Sequence, residues 1–494
     1  MKTLLDTDII VLRELGNDAS QDIRILFRWL DRGGYTKCIL PVTLHDINNA
    51  SDLLTRQSEY ELIKTPSPLA DKILELSSQE DHSDKDKDNT LLLNEVYLGR
   101  VDLLITENKE THRKAQLLNI ADRVLTIDSF LEKTFSEHPE LVNYKVLNVQ
   151  KIKFGKINLD DPFFDSLKAD YPGFDQWFAR KSNDEAYITI NSNNGMLLSF
   201  LYLKVEGADE DYSNINPILP PKKRLKVGTF KVINNGFRLG ERFLKIIFDN
   251  ALKNRVEEIY VTVFDKRDEQ RRLIGLLEQW GFRYWGMKGG EMVYVRDFHP
   301  HMNMDNLRST YPYINANQNA YIVPIYPDYH TELLPDSILN TESPQDFIED
   351  SPHRNSIGKI YVSRAMPPYP QKGDLLIFYR TGGYYKSVIT TIGIVEELKQ
   401  DFQNEEEFIK YCRRGSVFPE KELLDMWKWN SKMPIVLKFL YLYSFPHRIN
   451  MENLINLGVL AGVNDAPRGF KPLTRQQLEI IIKETNSDDS FIIY

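Results

Sequence analysis

Apolar and polar positions follow one another in three successive rhythms along this chain. In the first, short apolar runs alternate with helical repeats. Leu4-Leu5 is a short strand that runs into Asp6-Thr7-Asp8, and Ile23, Leu26, Phe27 and Leu30 recur at helical spacing. Residues 38–42 read as a second strand, Leu91, Leu92, Glu95 and Val96 as a later helix, and residues 101–105 as a further strand. Strands alternating with helices predict a parallel sheet. In the second rhythm the strands lengthen. Residues 151–157 form a strand, 161–167 and a piece with Phe174, Trp177 and Phe178 are helical, and 186–190 and 196–205 are strands around an Asn-Gly turn. A long strand over 225–233 leads into a helix over 242–253. A strand over 259–264 follows, then a helix that Gly281 should stop. From about 320 the pattern is mostly strand and turn: 321–325, 359–363, 373–380 pairing with 384–395, and 435–443, which ends before Pro446. Thr474 with Gln477 is a capping box that opens a last helix over 475–483.

Polar stretches separate these rhythms. Residues 77–89 are charged without periodicity and predict a loop, 299–319 predict a linker, and 327–356 predict a protruding loop. The expected architecture is α/β and multidomain: a parallel sheet over 1–140, a mixed α/β unit over 148–298 and a small β-barrel with helices over 319–494. A chain of 494 residues agrees, since roughly 100–200 residues make one domain.

Composition narrows the function classes. The net charge of −9 argues against generic nucleic-acid binding, although a local basic face can survive in an acidic chain. No run of about 18 apolar residues suggests a membrane helix. An acid at position 6 interrupts the stretch a signal peptide would need, and Cys38 and Cys412 are too few and too distant for a disulfide framework. These features predict a cytoplasmic protein with no membrane partner.

The first unit gathers acids at strand ends, where open parallel sheets place their ligands. Asp6, Asp46 and Asn108 fall at or near such ends, and Asp88 precedes a helix. With the LDTD opening and the LITEN block, residues 1–136 resemble the PIN nuclease domains. The resemblance implies Asp6, Asp46 and Asp88 as ligands of Mg²⁺ or Mn²⁺, with Asn108 as a further catalytic-site position. Hard oxygen donors suit such ions, and a metal-bound water would attack a phosphodiester. Asp46 stands where the family usually has Glu, and Asn108 where an acid is common, with Glu107 beside it. The bland alternative is helix capping by surface acids.

In the second unit the strand–turn–helix around Asn234-Asn235-Gly236-Phe237-Arg238-Leu239-Gly240-Glu241, followed by strand, helix and Trp280-Gly281-Phe282, resembles the GNAT acetyltransferases over 149–298. A helix N-terminus offers free N–H groups and partial positive charge to a diphosphate. The resemblance implies acetyl-CoA as cofactor, bound at Gly236, Arg238, Leu239, Gly240 and Glu241, with Arg242 adding charge. Many such enzymes carry a tyrosine where this chain has Leu277; Tyr284 or Tyr294 are the alternatives. Phe163, Phe164 and Trp177 are acceptor-side candidates or plain core.

The hairpin KGDLLIFYR followed by ITTIGIVEE resembles the PUA-like superfamily, in its ASCH and EVE branches, over 320–494. Such barrels bind RNA or modified bases. Lys359, Arg364, Lys372, Arg380 and Lys386, with Arg413, Arg414 and Arg468, interleave with Tyr361, Tyr379, Tyr384 and Tyr385, as RNA recognition requires; a solvated face is the alternative. Together the units suggest an RNA-directed enzyme: an acetyltransferase joined to a ribonuclease-like unit, toxin-like, acting on tRNA or aminoacyl-tRNA, with an inhibitory protein partner possible. Two other readings are an acetyl-CoA sensor with degenerate sites and an acetyltransferase for small amines or proteins.

Overall fold

The computed structural model describes residues 1–14, 21–45, 60–127, 129–130, 149–190, 195–233, 239–335, 356–382, 387–412, 415–428, 434–488 and 490–493. Contacts divide the chain into an N-terminal unit, most of residues 1–143, and a larger one, most of residues 144–494. The architecture is mixed α/β with one parallel and one mixed sheet in the regions read that way, and no helix among the described residues is long and apolar enough to cross a membrane.

In the N-terminal unit five parallel strands stand in the order β3-β2-β1-β4-β5: β1 Lys2–Leu5, β2 Thr36–Ile39, β3 Glu61–Leu62, β4 Leu103–Ile105 and β5 Val124–Leu125. The central strands are apolar on both faces, as helices packed on each side require. Leu4, Cys38 and Leu104 pack with Leu92, Leu93 and Val96 of the helix Asp84–Tyr97.

The charged stretch 77–89 is mostly helical, contrary to the loop expected there. Helix Asp71–Glu80 runs into it, and helix Asp84–Tyr97 starts inside it from a capping box between Ser83 and Asp86. Periodicity failed because the first turn of the second helix is solvated and carries Asp84 and Asp86, which favour a helix N-terminus. Asp81, between the helices, is buried in an ion pair with Lys114. Asp88 therefore lies within a helix rather than ahead of it.

The larger unit opens with a seven-stranded sheet in the order β11-β12-β10-β9-β8-β7-β6: β6 Gln150–Lys153, β7 Glu185–Ile190, β8 Leu197–Glu206, β9 Arg224–Val232, β10 Glu258–Val263, β11 Arg283–Lys288 and β12 Glu291–Asp297. All its pairs are antiparallel except β9 with β10. Helix Leu239–Asn254 connects that parallel pair, and helix Asp268–Gln279 follows β10 and ends before Gly281, whose φ is +84°.

Next come β13 Ile314–Asn315, β14 Ala320–Ile325, β15 Gly358–Ser363, β16 Leu375–Arg380, β17 Val388–Lys399, β18 Ile435–Asn450, β19 Lys471–Leu473 and β20 Ile492–Ile493. Six of them form a sheet in the order β15-β18-β17-β16-β14-β19, with β14 and β16 parallel, while β13 pairs with β20. Among the described strands no pair joins β15 to β19, so the expected barrel is an open sheet in these pairings. β18 runs through Pro446 instead of ending before it. The pairing with β17 jumps from Ser444 to Ile449, and the proline sits exposed in that irregularity, where no ladder N–H is needed. Part of the expected 327–356 loop is the helix Pro327–Leu333; residues 336–355 lie outside the described set.

Residues 299–319 are not a free linker. Leu307, Tyr311, Tyr313, Ile314 and Ala316 are buried, in one core with Phe248 and Trp280 on one side and Ile322 and Leu440 on the other. Arg296, fully buried on β12, donates to the carbonyls of Arg308, Ser309 and Tyr311, and the Tyr311 hydroxyl donates to the Tyr441 carbonyl at 2.8 Å. A buried guanidinium has to be satisfied by such acceptors, so this backbone is held in place by Arg296.

Candidate functional site

The parallel pair β9–β10 breaks open. Its register runs from Arg224↔Glu258 to Val227↔Val261 and stops, although β9 continues to Val232 and β10 to Val263. Each strand keeps its antiparallel partner on the other side, β8 for β9 and β12 for β10. Beyond Val227↔Val261 the two facing edges are no longer hydrogen-bonded to each other.

A bulge in β9 marks where this starts. Val227 opposes Leu203 but Thr229 opposes Tyr202, so Gly228 is the extra residue. A Cβ at 228 would lie 2.7 Å from the Tyr202 ring, which only glycine avoids. The bulge also reverses the in–out phase of the strand. Before it, Val227 packs into the core with Phe243 and Leu244. After it, Phe230 takes that side, 6.0 Å from the Phe243 ring, and Lys231 turns to the other.

The opposite face is covered by residues 162–180. Phe163, Phe164, Phe174 and Phe178 are buried and Trp177 half-buried, in an aromatic cluster with Phe154 and Phe200. Packing explains these rings without a ligand. Lys231 reaches into this layer. Its Nζ donates to the Phe163 carbonyl and to Ser166 Oγ at 2.7 Å, and burial pushes its pKa down to about 8. Arg267 and Gln270, at the start of helix Asp268–Gln279, both hold Asp170.

Of the residues expected at a diphosphate, Gly236 and Arg238 lie outside the described residues. Leu239 is buried in the core, and a Cβ on Gly240 would lie 2.8 Å from Leu276, so this glycine serves the approach of two helices. Glu241, in the first helical turn, accepts from the backbone N–H groups of Ile357 at 2.9 Å and Gly358 at 3.2 Å. The helix is thus tied to the start of β15. Leu277 is fully buried and offers no proton. Tyr294 donates to Glu278 at 3.3 Å and burial pushes it up to about 12, whereas Tyr284 is exposed.

In the N-terminal unit Asp6 sits buried at the end of β1 and accepts a hydrogen bond from the Thr106 hydroxyl; burial raises its pKa. Asp8 and Lys85, paired at 3.1 Å, lie close enough to act on its charge. Asn108 caps helix Lys109–Leu117 through the N–H of Thr111, and Glu107 accepts from the N–H of Ile127 at 2.8 Å. Asp88 is half-buried and Asp46 lies outside the described residues. Among the described residues no three His, Cys, Asp or Glu side chains gather as a metal site.

The basic residues of the last region scatter. Lys359 and Arg380 are buried, Arg364 is half-buried, Lys372 and Arg468 are exposed, and Tyr384, Lys386, Arg413 and Arg414 lie outside the described residues. Sequence reasoning passed over His330. It is fully buried, bonds Thr390 Oγ1 through Nε2 at 2.8 Å, leaves Nδ1 without a hydrogen bond, and is pushed down to about 3 by burial and by Arg380 and Arg448. Its helical context between Tyr329 and Leu333 resembles any core position, so no sequence signal marked it.

No protein-family model matches the chain, and no curated protein matches it. Among solved structures, a ZmASCH mutant protein from Zymomonas mobilis is 11% identical at a TM-score of 0.25, covering 34% of this chain and 97% of its own. A GNAT-family acetyltransferase from Streptococcus agalactiae is 16% identical at a TM-score of 0.22, covering 31% and 98%. Another from Listeria monocytogenes is 13% identical at a TM-score of 0.20, covering 32% and 99%.

Proposed function

We propose that the region 149–298 is an acyl-CoA-dependent N-acyltransferase. The observation that carries this reading is the opening of β9 from β10 immediately before helix Leu239–Asn254. The unpaired edge of β9 suits an extended amide-bearing chain, which can add to a strand as another strand would. The N-terminus of the helix suits a diphosphate at the far end of that chain. These two features fit acyl-coenzyme A, with residues 234–238, which the sequence reads as a turn, and the first amides of the helix as its holders. The bound cofactor would supply an activated acyl group as a thioester. The protein's own part is to bring an amine beside it, and proximity carries much of the rate of such reactions.

Calorimetric titration of the full chain with acetyl-CoA tests the reading. Binding is expected, and Arg238→Glu should weaken it by about tenfold or more through charge reversal beside a diphosphate. No binding by the wild-type chain would sink it. A second reading, a sensor that binds acyl-CoA without turnover, is favoured by buried Leu277 in the place of a proton donor. Thiol release from acetyl-CoA with a panel of amines separates the two. Acyl transfer to RNA is a finer version of the first reading, resting on exposed Lys372 and Arg468. It predicts label on tRNA.

A further inference from the structure

Lys231 is the feature of this region that packing does not explain. It lies on β9 past the point where β10 departs, opposite Phe200, on the face covered by residues 162–180. Its ammonium has three N–H donors. Two go to neutral oxygens, the Phe163 carbonyl and the Ser166 hydroxyl, and the group stands 4.7 Å from the centre of the Phe163 ring. Among the described residues no carboxylate lies within ion-pair distance of it, and Asp170, the deepest acid nearby, is already held by Arg267 and Gln270. A cation drawn this far from water without a counter-ion is costly, and a structural role would be served as well by a neutral side chain. Lys231 is still half-buried rather than sealed, so a small ligand can reach its third donor.

We infer that Lys231 binds the carboxylate of the acyl acceptor, and that the acceptor is a free amino acid or a closely similar amine carrying a carboxylate. The inference rests on the acyltransferase reading above. The surroundings suit a molecule with both charges. Asp165 and Glu269 lie near enough to act on the lysine's charge. They would draw the amino end of the acceptor while the lysine holds its carboxylate. The same acids oppose a polyanion, and binding a nucleic-acid backbone takes several free cations, whereas Arg267, the other cation acting on this lysine, is already paired with Asp170. In the reaction the amine nitrogen forms a bond to the acyl carbon, the carbon–sulfur bond breaks, and the proton lost by nitrogen balances the one gained by the departing sulfur. Lys231 takes no part in these bond changes; it positions the amine.

The test compares the twenty amino acids with their C-terminal amides as acceptors, using the full chain, acetyl-CoA and a thiol-release assay. The wild-type chain should prefer at least one amino acid over its amide by about tenfold or more in kcat/KM, and its KM for the acid should rise as pH passes about 8. Lys231→Met should raise KM for the acid about tenfold, leave the amide near its wild-type value, and retain acetyl-CoA binding by calorimetry; Lys231→Arg should recover part of the loss. Equal use of acids and amides by the wild-type chain would overturn the inference. So would Lys231→Met lowering kcat equally for both, which would mark a general base or a structural lysine. Absence of acetyl-CoA binding by the wild-type chain would instead remove the acyltransferase reading and this inference with it.

Discussion

Two parallel strand pairs in this molecule end in opposite ways. In the N-terminal unit β1 and β4 stay paired to Leu5↔Ile105, and the polar groups just beyond them satisfy one another. Thr106 bonds Asp6, Asn108 caps its own helix, and Glu107 holds the amide of Ile127. In the larger unit the β9–β10 pairing ends after Val227↔Val261, and Lys231, beyond that point, bonds only neutral groups among the described residues. Both are carboxyl ends of parallel strands, the place where open α/β sheets put their ligands. The difference is that one end has its polar groups largely met from within, while the other has strand edges and a cation left to meet something else. Residue type alone marks both ends as sites; hydrogen-bond satisfaction distinguishes them.

The strongest way to break the comparison is to close the open end. Gly228→Val puts side-chain atoms where the Tyr202 ring already lies, and overpacking of this kind costs about 1–3 kcal/mol. The expected outcome is that loss in denaturant unfolding together with at least a tenfold fall in acetyl-CoA affinity; normal affinity would detach the bulge from cofactor binding.

His330 provides a third polar position, buried like the closed end but with one ring nitrogen unmet. Its folded pKa of about 3 lies below the ordinary 6.5, so the unfolded chain takes up the proton first as pH falls. Stability from this group is therefore full above about 6.5 and is lost toward 3. Between pH 6.5 and 5 the loss is roughly 1.5–2 kcal/mol. Urea midpoints over that range should fall for the wild-type chain and stay flatter for His330→Gln; parallel slopes would show that His330 does not set the dependence.

Glu241→Gln removes the charge from the acceptor that ties helix Leu239–Asn254 to Ile357 and Gly358, a change worth about 1 kcal/mol. Calorimetry should show a lower unfolding temperature; an unchanged one would mean the tie is incidental. The smallest effect is expected at the closed end. Asp6 has a raised pKa, so its contribution is present at low pH and lost as pH rises through the folded value. Asp6→Asn, which still accepts from Thr106, should gain up to about 1 kcal/mol at neutral pH and nothing in acid. A loss at neutral pH would show that the carboxylate itself holds the strand end.

Much of this fold was legible along the chain. The strands β1 and β4 came from apolar runs, the last helix from the Thr474–Gln477 capping box, the β16–β17 hairpin from two runs flanking Thr381-Gly382-Gly383, and the stop at Gly281 from its residue type. Two of the misreadings involve single contacts with distant groups, which leave no periodicity in residues 77–89 and 299–319; the first also hides a solvated helical turn. Asp81 meets Lys114, Arg296 gathers three carbonyls, and Tyr311 reaches Tyr441. A pattern search averages over a window and misses a site held by one buried charge. The expected site residues divide likewise: Leu239 and Gly240 were expected in the turn ahead of a helix over 242–253, yet they open the helix itself and their side-chain positions face the core and a neighbouring helix.

By itself, then, the sequence determined most of the strands and helices and the parallel character of the first sheet. These follow from the pleat of a strand, the pitch of a helix and the chemistry of caps and turns, all local quantities. Only the tertiary structure decided that β9 leaves β10 after Val227, that Gly228 reverses the facing of the strand residues after it, and that Lys231 consequently stands in the aromatic layer with no counter-ion among the described residues. One extra residue in a strand shifts its side chains by half a period, and whether it is extra depends on the neighbouring strand.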